Sequence, residues 1–208
     1  MPQTTKILQL LKHHYPKAKC TLTHNSAFQL LVATILSAQC TDKRVNLVTK
    51  TLFKKYKTAN DYATAHMNEL EQDIRSTGFY RNKAKNIQKT AQILKNKPVP
   101  NTMEELIQLP GVARKTANVL LGTWYKKNSG IVVDTHVARI SQRLNLTQQS
   151  NPEKIEQDLM KIIPQTEYTQ FSHQLIQHGR TLCKAQTPQC KNCFLLPLCP
   201  AGKRTITI

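Results

Sequence analysis

The chain has 208 residues, 30 lysines and arginines against 12 acids, and a formal charge of +18. That length buries a real core without staples and accommodates one large domain or two small ones. The charge points to a polyanionic partner, nucleic acid first, over an acidic membrane surface or ribosomal assembly.

No apolar run reaches the roughly 18–20 residues that a membrane span needs. The N-terminal MPQTTKILQLLKHH lacks the apolar core and cleavage site of a secretory signal. A cytoplasmic, nucleoid-associated location and no membrane partner are expected.

Along the chain the apolar residues recur with helical spacing. Thr4 and Thr5 precede Ile7, Leu8, Leu10 and Leu11, and Pro16 ends that pattern. Asn25-Ser26 is placed to cap a strongly apolar helix over 28–39, which reads as buried on nearly all sides. Thr41 and Asp42 cap the next helix, with Val45, Val48, Leu52 and Tyr56 on one face. A short helix from Asn68 is stopped by Gly78, and Ala84, Ile87, Ala91 and Leu94 mark another before Pro98 and Pro100.

Thr102-Met-Glu-Glu105 has the capping-box pattern, and Pro110-Gly111 ends the short helix it opens. A helix over 113–125 follows, then the loop Asn128-Ser129-Gly130, the best candidate for a domain boundary. Ile131-Val132-Val133 has strand character but is too short to insist on. Asp134 is an N-cap for a helix through Arg143. Asn151-Pro152 starts another that Pro164 ends, and the last spans 167–178 with Gly179 as its stop. Strand-period pairs are absent from the sequence, so the class is all-α.

Two stretches carry chemistry. The first is LPGVARKTA, residues 109–117: two helices joined by a Pro-Gly turn, a helix-hairpin-helix. Gly111 lets the backbone approach a ligand closely, and the second helix aims its first N–H groups at an anion. Arg114 and Lys115 stand at this helix start, where the dipole repels cations. A bound phosphate offsets that repulsion, without reading base sequence. Leu109, Gly111, Ala113 and Arg114 are therefore candidate DNA contacts.

The second is the run Cys183, Cys190, Cys193 and Cys199, spaced C-x6-C-x2-C-x5-C. Four thiolates in one short segment can enclose one metal centre. Only Cys190 and Cys193 have the close pairing usual in structural zinc sites. Zinc and an iron–sulfur cubane both stay open on spacing alone. Lys184 and Lys191, among these cysteines, are placed to touch phosphate. Cys20 and Cys40 stand alone and read as core thiols.

LPGVARKTANVLLG (109–122), VDTHVARI (133–140), the four-cysteine spacing and LVATILSAQCTD (31–42) together resemble the endonuclease III family across nearly the whole chain. The resemblance implies bifunctional DNA glycosylases of base excision repair. It implies a six-helix barrel over 20–129 ending with the hairpin helix. A second helical domain, 1–19 with 130–208, carries a [4Fe–4S] cluster, and the active site lies in the cleft.

The family's catalytic lysine falls on Lys115 and its aspartate on Asp134; its cluster ligands fall on Cys183, Cys190, Cys193 and Cys199. With the resemblance, the cubane is favoured over zinc. Gln39 and Phe79 fall where the family fills the space left by an extruded nucleotide, and His136 lines the pocket edge. Many members carry leucine where Phe79 stands, and Ala113 replaces the second glycine common in such hairpins.

The implied partner is damaged double-stranded DNA, bound by a monomer. The implied reaction removes an oxidised pyrimidine through a lysine Schiff base and cuts the strand 3′ to the abasic site. A free lysine amine, with a pKa of roughly 10.4, is only ~0.1% neutral near neutral pH. A helix dipole supplies at most ~2 kcal/mol towards neutralising it, so Arg114 or partial burial of the lysine must complete the activation. Two alternatives share parts of this pattern. A monofunctional adenine glycosylase lacks the lysine and carries a further C-terminal domain. A non-catalytic iron–sulfur DNA-binding protein leaves Lys115 and Asp134 unexplained.

Overall fold

A computed structural model describes residues 3–95 and 97–207. Its described residues form α-helices and short 3-10 turns, with no strand among them. In chain order the helices are α1 (Gln3–His14), α2 (Ala27–Leu36), α3 (Asp42–Lys55), α4 (Ala59–Thr64), α5 (Met67–Ile74) and α6 (Tyr80–Leu94). Then come α7 (Met103–Leu106), α8 (Arg114–Thr123), α9 (Thr135–Arg143), α10 (Pro152–Ile162), α11 (Tyr168–Thr181) and α12 (Pro200–Thr207).

The chain divides into two compact units. One is Thr21–Lys126; the other joins Met1–Cys20 to Lys127–Ile208. In the first, α2 is the central element: Leu30 through Leu36 are all buried, and α3, α6 and α8 pack against it. Ser26 starts it, its side chain accepting from Gln29 N, and Thr41 starts α3 by accepting from Arg44 N.

In the second unit α11 packs on α9 and α1. Its core gathers Ile7 and Leu11 from α1, Val137 and Ile140 from α9, Ile155 and Leu159 from α10, and Phe171 and Leu175 from α11. Each such buried aliphatic side chain contributes about 1.5–3 kcal/mol. Asn151 and Pro152 start α10 as their chemistry dictates.

Three readings change. Gly179 does not stop a helix; it lies inside α11. A Cβ there would meet His136 Nδ1 at 2.6 Å and Arg139 Nη2 at 3.0 Å. Glycine is needed because α9 lies so close, not because the chain turns. Residues 131–133 are buried but form no strand; Val132 N donates instead to Ser172 Oγ at 3.0 Å. Cys20 and Cys40 are half-buried rather than core thiols.

Two helices escape the periodicity argument altogether. α4 is only six residues long, and its signal was the capping box Thr58–Asp61. α12 follows Cys199 directly, with Pro200 as its first residue.

Candidate functional site

In the hairpin, Val112 N donates to Leu109 O at 3.1 Å and closes the turn between α7 and α8. Gly111 has φ +77, a left-handed conformation that favours glycine. A Cβ there would also meet Asn86 Cβ of α6 at 2.8 Å. Thr90 Oγ1 donates to Pro110 O at 2.9 Å. The turn is thus fixed on α6 from two sides, a reason for glycine beyond access to a ligand.

The Leu109 side chain is buried, so any contact from this position is made by backbone. Ala113 is the N-cap of α8, in extended conformation and with no side-chain hydrogen bond to the helix. Ala113 thus supplies no side-chain acceptor to the first turn, the place where a helix start takes an anion. Lys115 follows two residues later and is exposed, and Arg114 is half-buried. The partial burial expected of Lys115 is therefore not present in the free chain.

Asp134 begins α9 in the opposite manner. Its Oδ1 accepts from both His136 N and Val137 N, each at 2.9 Å. One carboxylate oxygen satisfies two first-turn donors, and Oδ2 takes no part in the cap. The half-buried His136 is oriented by Arg139, whose Nη2 donates to His136 Nδ1 at 3.2 Å. That bond assigns the ring proton to Nε2.

The four cysteines line one cavity beneath α9, and none is in a disulfide. Among the described residues no three His, Cys, Asp or Glu side chains converge as around a single metal ion. Arg143 organises the segment: its Nη1 donates to Cys183 Sγ at 3.1 Å and to Lys184 O at 2.8 Å, and its Nη2 to Ala185 O at 2.8 Å. Arg139 Nη2 donates to Cys183 O at 2.8 Å.

Burial raises the thiols of Cys193 and Cys199 above the usual cysteine value, and the neighbouring cysteines push the same way. Burial also lowers His178, beside Cys193, to about 4, helped by His14 and Arg139, so its ring is neutral. Half-buried, unoxidised thiols under arginine donors are the donor set a thiolate-ligated metal cluster takes. Lys184 and Lys191 are exposed on this segment.

Gln39 and Phe79 share a feature that the sequence did not announce. Both have left-handed backbones, φ 52 and φ 49, and both are exposed, Phe79 at 64%. A non-glycine residue held there costs on the order of 1–2 kcal/mol, strain typical of functional positions.

An uncapped helix start behind a Pro-Gly turn, on a basic chain, is the anion-binding arrangement of a helix-hairpin-helix protein. Residues 32–165 match the HhH-GPD superfamily base excision DNA repair protein family. The endonuclease III of Synechocystis sp. is 52% identical over 97% of this chain and 93% of its own. A solved non-covalent endonuclease III–DNA complex superposes with a TM-score of 0.94 at 47% identity, covering 100% of both chains. A trapped endonuclease III–DNA covalent intermediate gives 0.93 at 47% identity, covering 99% of this chain and 100% of the other. The chain belongs to the endonuclease III family of this superfamily, base excision repair enzymes with glycosylase and lyase activity.

Proposed function

We propose that the enzyme removes oxidised pyrimidines from duplex DNA and then cuts the strand, with Lys115 as nucleophile and Asp134 as its acid–base partner. The lesion cannot be reached inside the stack and is extruded at a cost of a few kcal/mol. Gln39 and Phe79 occupy the vacated space. The open start of α8 holds a backbone phosphate, whose charge makes Arg114 and Lys115 tolerable there.

Neutral Lys115 Nζ forms a bond to the sugar C1′ as the C1′–base bond breaks, and its electron pair leaves with the base. The amine's proton passes to Asp134, whose Oδ2 is not engaged by the helix cap. The sugar ring opens to a Schiff base on Lys115. A base, water or the released carboxylate of Asp134, then takes a C2′ proton; the C2′–C3′ double bond forms as the C3′–O bond breaks, and its electron pair leaves with the 3′ phosphate. A neighbouring carboxylate raises a lysine's pKa. The service of Asp134 is therefore to take the proton and to stabilise positive charge developing on the sugar, not to neutralise Lys115 beforehand.

Cys183, Cys190, Cys193 and Cys199 are read as ligands of a [4Fe–4S] cluster, which when bound cross-links this segment through four Fe–S bonds. The purified protein should contain iron and acid-labile sulfide in equal amounts. Stoichiometric zinc without iron would overturn that assignment.

The observation that carries the functional reading is the trapped covalent intermediate of a protein 47% identical across 99% of this chain. Borohydride reduction during turnover of thymine-glycol duplex should give a covalent adduct with the wild type and none with Lys115→Ala. Equal trapping by both would refute the nucleophile. The adenine-glycosylase and non-catalytic readings both predict no adduct.

A further inference from the structure

Lys83 lies in the first turn of α6, yet it is only 5% exposed. Burying an ammonium is costly unless its donors are satisfied. Its Nζ donates to Leu36 O at 2.9 Å and to Thr77 O at 2.8 Å. Leu36 is the last residue of α2, and Thr77 ends the 3-10 turn Arg75–Thr77. Helix ends leave carbonyls without internal donors and favour a positive charge. One side chain therefore closes two helix ends that are far apart in sequence.

Those two ends lead into the two strained turns. Three residues beyond Leu36 lies Gln39, in a turn closed by Cys40 N to Ser37 O at 3.1 Å. Two residues beyond Thr77 lies Phe79, whose carbonyl accepts from Lys83 N at 3.2 Å. Of the non-glycine residues with positive φ among those described, two of four are these. Strained backbones persist only where their surroundings over-determine them. Gly78, directly before Phe79, has nothing within 4 Å of where a Cβ would stand, so contacts at that position do not hold the turn. Burial lowers the Lys83 ammonium below the ordinary lysine value, a penalty on the charge that its two carbonyl bonds oppose.

We propose that Lys83 is a positioning residue for base extrusion: by joining Leu36 O to Thr77 O it fixes the spacing and conformation of the turns that present Gln39 and Phe79 to the DNA stack. The inference rests on the reading of those two residues as stack-filling. Lys83 itself does not touch DNA in this account, and its effect passes through them.

The test uses 2-aminopurine beside a tetrahydrofuran abasic analogue in a duplex, whose fluorescence rises on unstacking. Proteins compared are wild type, Lys83→Met, Gln39→Ala/Phe79→Ala and the triple variant. Lys83→Met should reduce the unstacking signal and weaken duplex binding about fivefold or more, roughly the scale of lost positional control. Borohydride trapping on single-stranded abasic DNA, which needs no stack-filling, should change by less than about twofold. In the Gln39→Ala/Phe79→Ala background, Lys83→Met should have no further effect on unstacking; with Gln39 and Phe79 intact, Lys83→Arg, which keeps charge and donors, should retain part of the signal that Lys83→Met loses. Should Lys83→Met melt below the assay temperature, Lys83→Gln is read in its place.

Equal loss on duplex and single strand, or equal loss in both backgrounds, would overturn the proposal and leave Lys83 a stability residue. An unchanged signal in Gln39→Ala/Phe79→Ala would instead defeat the stack-filling reading, and the proposal with it.

Discussion

Two helix starts, α8 and α9, each carry one of the proposed catalytic residues, and they are built oppositely. α9 is closed by its own Asp134, which satisfies two backbone donors with a single oxygen. α8 begins at Ala113 with no side-chain cap and places cations in its first turn. A closed start holds a carboxylate in a fixed orientation before substrate arrives. An open start keeps its donors for an external anion and tolerates positive charge only once that anion is bound. On the proposed roles, the contrast gives one enzyme a rigid acid–base group at one helix start and an anion-binding start at the other.

The largest expected effect falls on the open side. Lys115→Ala should lower turnover by at least ~10³-fold, the scale for losing an activated nucleophile. Its melting temperature should stay near wild type, because Lys115 is exposed.

On the closed side, Asp134→Asn separates the two duties of one carboxylate. Asparagine caps as well as aspartate, so stability should change by less than about 1 kcal/mol. Activity should still fall about 10²–10⁴-fold, because the amide cannot take the proton. Asp134→Ala should lose both, with about 1 kcal/mol of further destabilisation. Equal activity of Asp134→Asn and wild type would reduce Asp134 to a cap.

Ala113→Asp makes the open start resemble the closed one. The extended backbone at this position suits a capping residue. Denaturant unfolding should show a gain of about 0.5–2 kcal/mol, while duplex affinity drops at low salt because the carboxylate occupies the phosphate's place. A variant both more stable and equally tight on DNA would show that the open start is not an anion site.

The smallest effect falls on a third helix start, α4, which carries no proposed catalytic residue. Asp61 accepts from Thr58 N and Lys57 N at the head of α4, and these donors hold its carboxyl below the usual value of 3.8. The unfolded chain therefore binds the proton more readily. The stabilisation is complete above about pH 4 and is lost as pH falls through the folded-state value. Asp61→Asn should cost about 1 kcal/mol or less at pH 7, with the difference from wild type shrinking in acid. A difference that is constant with pH would contradict this.

Much of this was legible in the sequence because it is local. Asp134, Ser26, Thr41 and Asn151 cap helices through bonds to residues two or three positions on, and their signals are written within that span. What was not legible is set by partners far along the chain. Gly179 looks like a stop until α9 is placed against it. Lys83, in a chain this rich in lysine, reads as a solvated helix residue, and only the position of Leu36, forty-seven residues earlier, reveals its burial. Neither left-handed residue, Gln39 or Phe79, is itself a glycine or asparagine, the types that announce such a backbone. Motifs named the chemistry here, and long-range packing decided how each motif is held.

The central claim is that the amine at the open start of α8 performs the covalent step. Peptide mapping of the borohydride-trapped DNA adduct by mass spectrometry tests it most directly. The account predicts the modification on the peptide containing Lys115, formed more slowly but at the same residue in Asp134→Asn. An adduct on another lysine or on the N-terminal amine would contradict it.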